Sequence, residues 1–422
     1  MRFSQSSVTS SSRGLRLAFL GVCIGLLGFK DISEGAIDPL NRPAVEVELG
    51  EEQIITRDAG WPYLFQAAEG TTIVLGHRRW IPRQPEPIVF TLRSFDGRKT
   101  WQEWQPSPQQ GPGPVTEGTA VQLKDGRILI FDVYAYHQGN KQFKGKRWVS
   151  TDGWRTVNGP ESIHVSVPQA LTDGMVDDRG EPISRLSLRR SALVLKNGDL
   201  LASAYGRFEG DNTSVEYIPA MKQSRSYLLR SKDEGLTWTY AGTIAPPPVG
   251  QEGFGEPVLI QLQRGPHAGR LLCQMRVGRE HAVYQTESDD EGQTWSTPHA
   301  LSWTYSRFGR QREIIGVDPD LTEMSNGVLV MGYGHKPDYR DDGNFLAFSV
   351  DSGVTWTEET RISTGLTLAY VGVRETAPET LFVVYTKTDE TRPWKYKGAT
   401  FNTYGRSVTV KPTQSSSSSP GR

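Results

Sequence analysis

Three residues with the means to do chemistry stand at the ends of apolar runs: Glu256 before Val258-Leu-Ile260, Arg276 after Leu271-Leu-Cys-Gln-Met275, and Tyr370 before Val371-Gly-Val373. Arginine presents N–H donors in a rigid plane that matches the two oxygens of a carboxylate, which lysine cannot reproduce. Arg340, within Asp338-Tyr-Arg-Asp-Asp342, and Arg57, Arg78 and Arg79 add four more guanidinium groups at similar boundaries. Such a set suits an acidic ligand. Other chemistries lack their minimal residues. The sequence contains no HExxH, no CxxC pair, no phosphate-binding glycine loop and no GxSxG, which removes metalloprotease, zinc, nucleotide and serine-hydrolase readings. The seven histidines are scattered without the spacing of a metal triad, so no metal and no cofactor is expected.

A repeat positions these residues. Ser231-Lys-Asp233-Glu-Gly235-Leu-Thr237-Trp238, Ser288-Asp-Asp290-Glu-Gly292-Gln-Thr294-Trp295 and Ser349-Val-Asp351-Ser-Gly353-Val-Thr355-Trp356 match SxDxGxTW in full. Ser94 to Trp101 carries its glycine one place early, at Gly97, and Ser150 to Val157 ends on Val157 in place of tryptophan. The pattern explains itself as a hairpin turn: a short carboxylate accepts backbone N–H groups, glycine takes a positive φ, and tryptophan anchors the turn in an apolar core. The spacing leaves room for four strands per unit, and six such units fill residues 43–410. Gly- and aromatic-rich composition, with few long apolar runs, agrees with many short strands. The fold class is therefore all-β, a six-bladed β-propeller of four-stranded antiparallel blades joined by these turns. The sixth unit lacks the turn motif; its strands are expected over Leu368 to Val373, Leu381 to Lys387 and Gly398 to Thr403, with Val45 to Leu49 closing the ring beside them. Because neighbouring strands alternate in direction, residues at the starts of first strands and the ends of second strands share the face opposite the turns. Glu256, Arg276, Tyr370, Arg340, Arg57, Arg78 and Arg79 all fall on that face.

The five turns resemble the Asp-box repeats of sialidases, and the resemblance extends over nearly all of the chain after its leader. In that family three arginines clamp the substrate carboxylate, a tyrosine attacks the anomeric carbon and a glutamate serves as the tyrosine's base. The resemblance implies Tyr370 as nucleophile, Glu256 as its base, and Arg276 and Arg340 as carboxylate ligands. A phenol has an ordinary pKa near 10 and needs such a base, and being neutral it is not repelled by a sugar that carries its own carboxylate. Sialidases are a recognised exception to the two-carboxylate rule of glycosidases.

The sequence departs from the family twice. Gly60, in Asp58-Ala-Gly-Trp-Pro-Tyr63, stands where an Arg-Ile-Pro motif would supply the first clamp arginine, which is therefore missing as written; Arg57, Arg78 and Arg79 are the candidates to reach the same space. The loop that would hold the general-acid aspartate reads Trp80-Ile-Pro-Arg-Gln-Pro-Glu86-Pro87, which leaves Glu86 as the acid, with Asp58 or the insertion acids Asp173, Asp177, Asp178 and Glu181 as alternatives. The expected function is hydrolysis of terminal sialic acid or a related acidic sugar from glycoconjugates. The alternatives are a propeller that binds glycans without cleaving them, or a hydrolase of a neutral sugar that uses a carboxylate pair.

Residues 1–36 have the layout of a secretory signal, with Arg13 and Arg16 before an apolar stretch from Leu17 to Phe29 and Gly35-Ala36 as a cleavage site. That stretch is shorter than the roughly 20 residues a membrane span needs, so a secreted or periplasmic monomer without stable membrane insertion is expected. A net charge of -1 gives no reason to expect nucleic acid as a partner. Past the leader Cys273 is the only cysteine, so no internal disulfide forms and burial must supply the stability. Residues 412–422, serine-rich and without apolar residues, read as a disordered tail.

Overall fold

The computed structural model describes residues 44–78, 88–111, 113–114, 118–170, 185–278, 280–305, 310–335, 343–357, 359–388 and 401–413. Among them the chain is all-β, and its helical content is a single turn over Pro108–Gln110. No helix among the described residues is long and apolar enough to cross a membrane.

Four-stranded antiparallel sheets recur along the chain. One is built from Ala59–Gln66, Thr72–Arg78, Ile88–Ser94 and Gln102–Glu103, another from Gly255–Gln261, Leu271–Arg276, Tyr284–Ser288 and His299–Ala300, and a third from Val317–Glu323, Leu329–His335, Gly343–Ser349 and Thr360–Thr364. The last contains Val371–Ala377, Thr380–Lys387 and Asn402–Pro412, with Val45–Leu49 on its outer edge. Its third strand lies later than the expected Gly398 to Thr403, because Tyr404, Val408 and Val410 are the residues that reach the apolar core. That strand also runs on to Pro412, the first residue of the stretch read as a tail. The leader and residues 414–422 lie outside the described residues.

The second and third units differ from the separate blades expected of them. They merge into one nine-stranded sheet. The cause is an additional strand, Tyr134–Gly139, which pairs with both Gln142–Ser150 and Arg185–Val194. The end of Asn158–Ser166 also runs parallel to Thr237–Ala245, through His164 and Thr237. Seven strands of this sheet pair in a closed circuit.

The core lies between consecutive sheets and inside the nine-stranded one. Leu75 and Ile73 meet Ile130 and Trp148; Leu188 and Tyr227 meet Phe131 and Phe143; Leu228 meets Leu259 and Cys273. Leu272 meets Met331 and Tyr333, Val330 and Phe348 meet Val373 and Val383, and Val384 returns to Leu64 and Val74 of the first sheet. Each such buried aliphatic or aromatic side chain stabilises the fold by about 1.5 to 3 kcal/mol relative to exposure. Cys273 is free and buried, and burial pushes its thiol pKa up. Residues of six strands, Phe65, Val121, Ala192, Gln261, Glu323 and Arg374, line a cavity of about 290 Å³.

The five SxDxGxTW turns share one geometry. In the first, Asp96 accepts Ser94 Oγ at 2.9 Å, Thr100 N at 3.0 Å and Thr100 Oγ1 at 2.6 Å. The same contacts recur at Asp152, Asp233, Asp290 and Asp351. Two successive residues have positive φ in every turn: Gly97 and Arg98, Gly153 and Trp154, Glu234 and Gly235, Glu291 and Gly292, Ser352 and Gly353. The displaced glycine of the first turn thus occupies the other of two left-handed positions. In the second turn the tryptophan missing at Val157 is replaced by Trp154, which is fully buried against Trp104.

Candidate active site

The innermost strands share a deformation that builds the site. Each of Ala59–Gln66, Arg185–Val194, Gly255–Gln261 and Val317–Glu323 has a register shift, between Gly60 and Tyr63, Arg189 and Ala192, Gly255 and Val258, and Val317 and Asp320. Inside each shift one non-glycine residue has a positive φ: Trp61, Arg190, Glu256 and Asp318. Proline follows three of the four, as Pro62, Pro257 and Pro319, at bulges where its missing N–H costs no ladder hydrogen bond. Bulges re-aim side chains. Here three of them, at Arg190, Glu256 and Asp318, bring charged groups together.

Glu256 lies at the middle of the cluster and is 7% exposed. Its Oε1 accepts Tyr370 Oη at 3.2 Å and Arg276 Nη1 at 3.0 Å, while its Oε2 accepts the backbone N–H of Asp318 at 3.1 Å. Arg189 Nη2 stands 3.7 Å from the same Oε1. Arg276 places its other terminal nitrogen, Nη2, 2.8 Å from Glu252 Oε1, and Glu252 Oε1 also accepts Tyr217 Oη at 2.7 Å. Burial works against the charge on Arg276, but Glu256 and Glu252 outweigh it and raise its pKa. Beneath this layer Asp318 pairs with both Arg189 and Arg190, and Asp320 accepts Arg374 at 2.7 Å. These five groups alternate in sign, as buried charges must. Trp61 packs edge-on to Tyr370 at 6.4 Å and to His77 at 5.6 Å. Burial of His77 lowers its pKa to about 4, which leaves a neutral ring at neutral pH.

Of the residues singled out from sequence, Tyr370, Glu256 and Arg276 meet within hydrogen-bonding distance. Arg78 lies elsewhere. It forms a two-point ion pair with Glu103 on the outer strand of its own sheet and covers the Phe90 ring, so its guanidinium is not available to the cluster. Arg57 is exposed ahead of the first inner strand, and neighbouring Asp58 donates its backbone N–H to Asn402. Arg79, Glu86 and Arg340 lie outside the described residues, as do Asp173, Asp177, Asp178 and Glu181. His335 is buried with its Nε2 3.7 Å from Glu359, away from any metal arrangement; no metal-holding cluster occurs among the described residues. A β-carbon on Gly60 would stand 2.5 Å from Leu368 Cδ1, so that position is filled from the side by leucine.

Sequence reasoning missed Arg189, Arg190, Asp318, Asp320, Glu252 and Tyr217. A signal existed for the first four: charged residues interrupt apolar inner strands at the register of Glu256, as Leu188-Arg-Arg-Ser191 and Val317-Asp-Pro-Asp320. Glu252 and Tyr217 come from loops and had none.

The match to known proteins agrees with this architecture. The model of the BNR repeat-like domain family matches residues 133–370. A curated relative, a sialidase from Micromonospora viridifaciens, is 32% identical over 133 residues, which is 29% of this chain and 18% of the relative. Among solved structures, a protein of unknown function from Dyadobacter fermentans is similar with a TM-score of 0.59 at 18% identity, covering 86% of this chain and 99% of its own. The Hadza microbial sialidase Hz136 gives a TM-score of 0.55 at 18% identity, over 82% of this chain and 65% of its own. Trypanosoma rangeli sialidase in complex with the inhibitor DANA gives 0.52 at 14% identity, over 83% and 55%. The repeated turns, the sheets they join and the match over more than half its length make this chain a member of the BNR repeat-like family, within the sialidase superfamily.

Proposed function

We propose that this protein is an exported exo-glycosidase that releases terminal sialic acid, or a related acidic sugar, from glycoconjugates with retention of configuration. The observation that carries the proposal is the approach of Tyr370 Oη to Glu256 Oε1 at 3.2 Å, across 114 residues of sequence, beside a buried arginine. In this reading the phenolic oxygen of Tyr370 attacks the anomeric carbon while the bond to the aglycone oxygen breaks. The phenolic proton passes to Glu256, and the aglycone takes a proton from a general acid, for which Glu86 remains the candidate. Water then attacks the anomeric carbon and gives a proton back to that general acid, the tyrosyl–sugar bond breaks, and Glu256 returns the proton to Tyr370. Arg276 supplies positive charge beside the reacting centre, and no cofactor takes part. The scaffold we propose is a six-bladed propeller, supported by six inner strands around one cavity and six interlocking cores. Residues 1–36 would direct export, and the enzyme would act as a monomer.

The test is release of fluorophore from a sialoside and from a panel of uronides by the purified protein. Release that Tyr370→Phe abolishes supports the proposal, and no release from any acidic glycoside overturns it. A second reading, glycan binding without cleavage, is favoured by Gly60, which stands at the clamp-arginine position with the Leu368 side chain packed against it. Tight retention on a glycan array with no turnover would select it.

A further inference from the structure

Arg276 has two terminal nitrogens, and the protein's own carboxylates hold both. Nη1 donates to Glu256 at 3.0 Å and Nη2 donates to Glu252 at 2.8 Å, while the buried Nε has no hydrogen-bond partner. Glu256 is tied on its other oxygen to the backbone of Asp318, deep in the cluster. Glu252 differs. Its backbone is fixed, since its N–H donates to Val277 O at 3.1 Å and its carbonyl accepts Ser224 N at 2.9 Å. Its carboxylate lies at the rim, 16% exposed, and is held from outside by Tyr217, an exposed residue between the short paired strands Ser214–Val215 and Ile218–Lys222.

A sugar carboxylate that binds a guanidinium in the paired geometry needs two N–H groups on one edge. Two carboxylates on one guanidinium already leave this trio with a net charge of −1, so a third anion meets repulsion and a guanidinium whose two terminal nitrogens are both engaged. We infer that Glu252 is a specificity-determining residue: it stands in for a ligand carboxylate on Nη2 of Arg276, and an acidic sugar binds by displacing it outward toward Tyr217. The Tyr217 hydroxyl aims Glu252 at Arg276. The threshold this sets favours ligands whose further hydroxyls and amide bind strongly enough to displace Glu252, over small free acids.

The inference rests on the proposed sugar-acid site, and its test is a binding measurement independent of turnover. In a Tyr370→Phe background, titration calorimetry would follow N-acetylneuraminic acid, glucuronic acid and the methyl ester of each, with the parent chain compared with Glu252→Gln, Glu252→Ala and Tyr217→Phe. Glu252→Gln keeps the volume and the bond to Tyr217, so it guards against loss of fold, which melting curves would check. We expect both Glu252 changes to tighten binding of the acids about tenfold and leave the esters unchanged, and Tyr217→Phe to tighten it a few fold. Acid affinity that stays the same, falls or remains absent in the Glu252 variants overturns the inference. If the variants gain acid affinity while the chain with Tyr370 intact cleaves no glycoside, the glycosidase reading falls and the role of Glu252 stands.

Discussion

The backbone N–H of Asp318 points at Oε2 of Glu256, 3.1 Å away, while the side chain of Asp318 is held by Arg189 and Arg190. One buried residue thus orients the carboxylate above it and pairs with two cations beside it. Asp318→Ala would keep the N–H but leave both arginines short of an anion in a site that is 0% exposed at Asp318. We predict a loss of about 3 to 5 kcal/mol, read as a shift of the urea midpoint at constant slope. A loss below about 1 kcal/mol would show that the network carries no such load.

Tyr370 and Glu256 should behave as a unit. Tyr370→Phe removes the hydroxyl and keeps the ring against Trp61, so kcat on the best acidic glycoside should fall by about 10² or more with KM within a few fold. Glu256→Gln should disable the same step. The double variant should then be little worse than either single one; simple addition of the two losses would dissociate the pair.

The turn aspartates make a pH prediction. Hydrogen bonds from Thr294 and Ser288 lower the pKa of Asp290 to about 2. At Asp351 burial works in the opposite direction, and the bonds from Thr355 and Ser349 outweigh it. A carboxyl depressed in the folded state contributes stability above its unfolded pKa, and that contribution is lost as pH falls through the folded value. Stability should therefore decline from about pH 4 toward pH 2. Asp351→Ala should remove part of that decline and cost about 1 kcal/mol at neutral pH, without a change in substrate preference; thermal melts across pH would read both.

His77 acts in a different window. Its folded pKa of about 4 lies below the ordinary 6.5, so below pH 6.5 the unfolded chain takes up a proton that the folded one refuses. Stability falls as pH drops from about 6.5 to about 4, then levels. The full shift corresponds to about 3 kcal/mol, and the partial exposure of His77 reduces this to about 1 to 2 kcal/mol. His77→Gln should flatten the slope across this range alone.

How much of this was legible depended on repetition. Ser231 to Trp238 and its relatives repeat a local turn whose hydrogen bonds close within five residues, so sequence sufficed for the turns, the all-β class and the face they define. The meeting of Glu256, Arg276 and Tyr370 followed from that face. Arg78 did not, because its guanidinium pairs with Glu103 on the outer strand of the same sheet, and that ion pair across the sheet decided its direction. The merging of the second and third units was hidden for a similar reason: Tyr134–Gly139 pairs with strands on both sides, a choice made by tertiary contacts. Glu252 and Tyr217 sit in irregular segments, where spacing says little about which side chains meet.

The outer strand Val45–Leu49 pairs with the end of the chain, Val45 opposite Pro412 and Leu49 opposite Val408. The first described strand therefore has no partner until the last one exists. While the chain is being made, Val45 and Val47 must wait with an open edge through most of synthesis, and the final sheet cannot be completed piecemeal as the others can. Contacts of such long sequence separation slow folding. They also tie the two ends together: a chain stopped before Asn402 would lose the third strand of its last sheet and leave its own beginning unpaired, so the cost of a late truncation would fall at both ends at once.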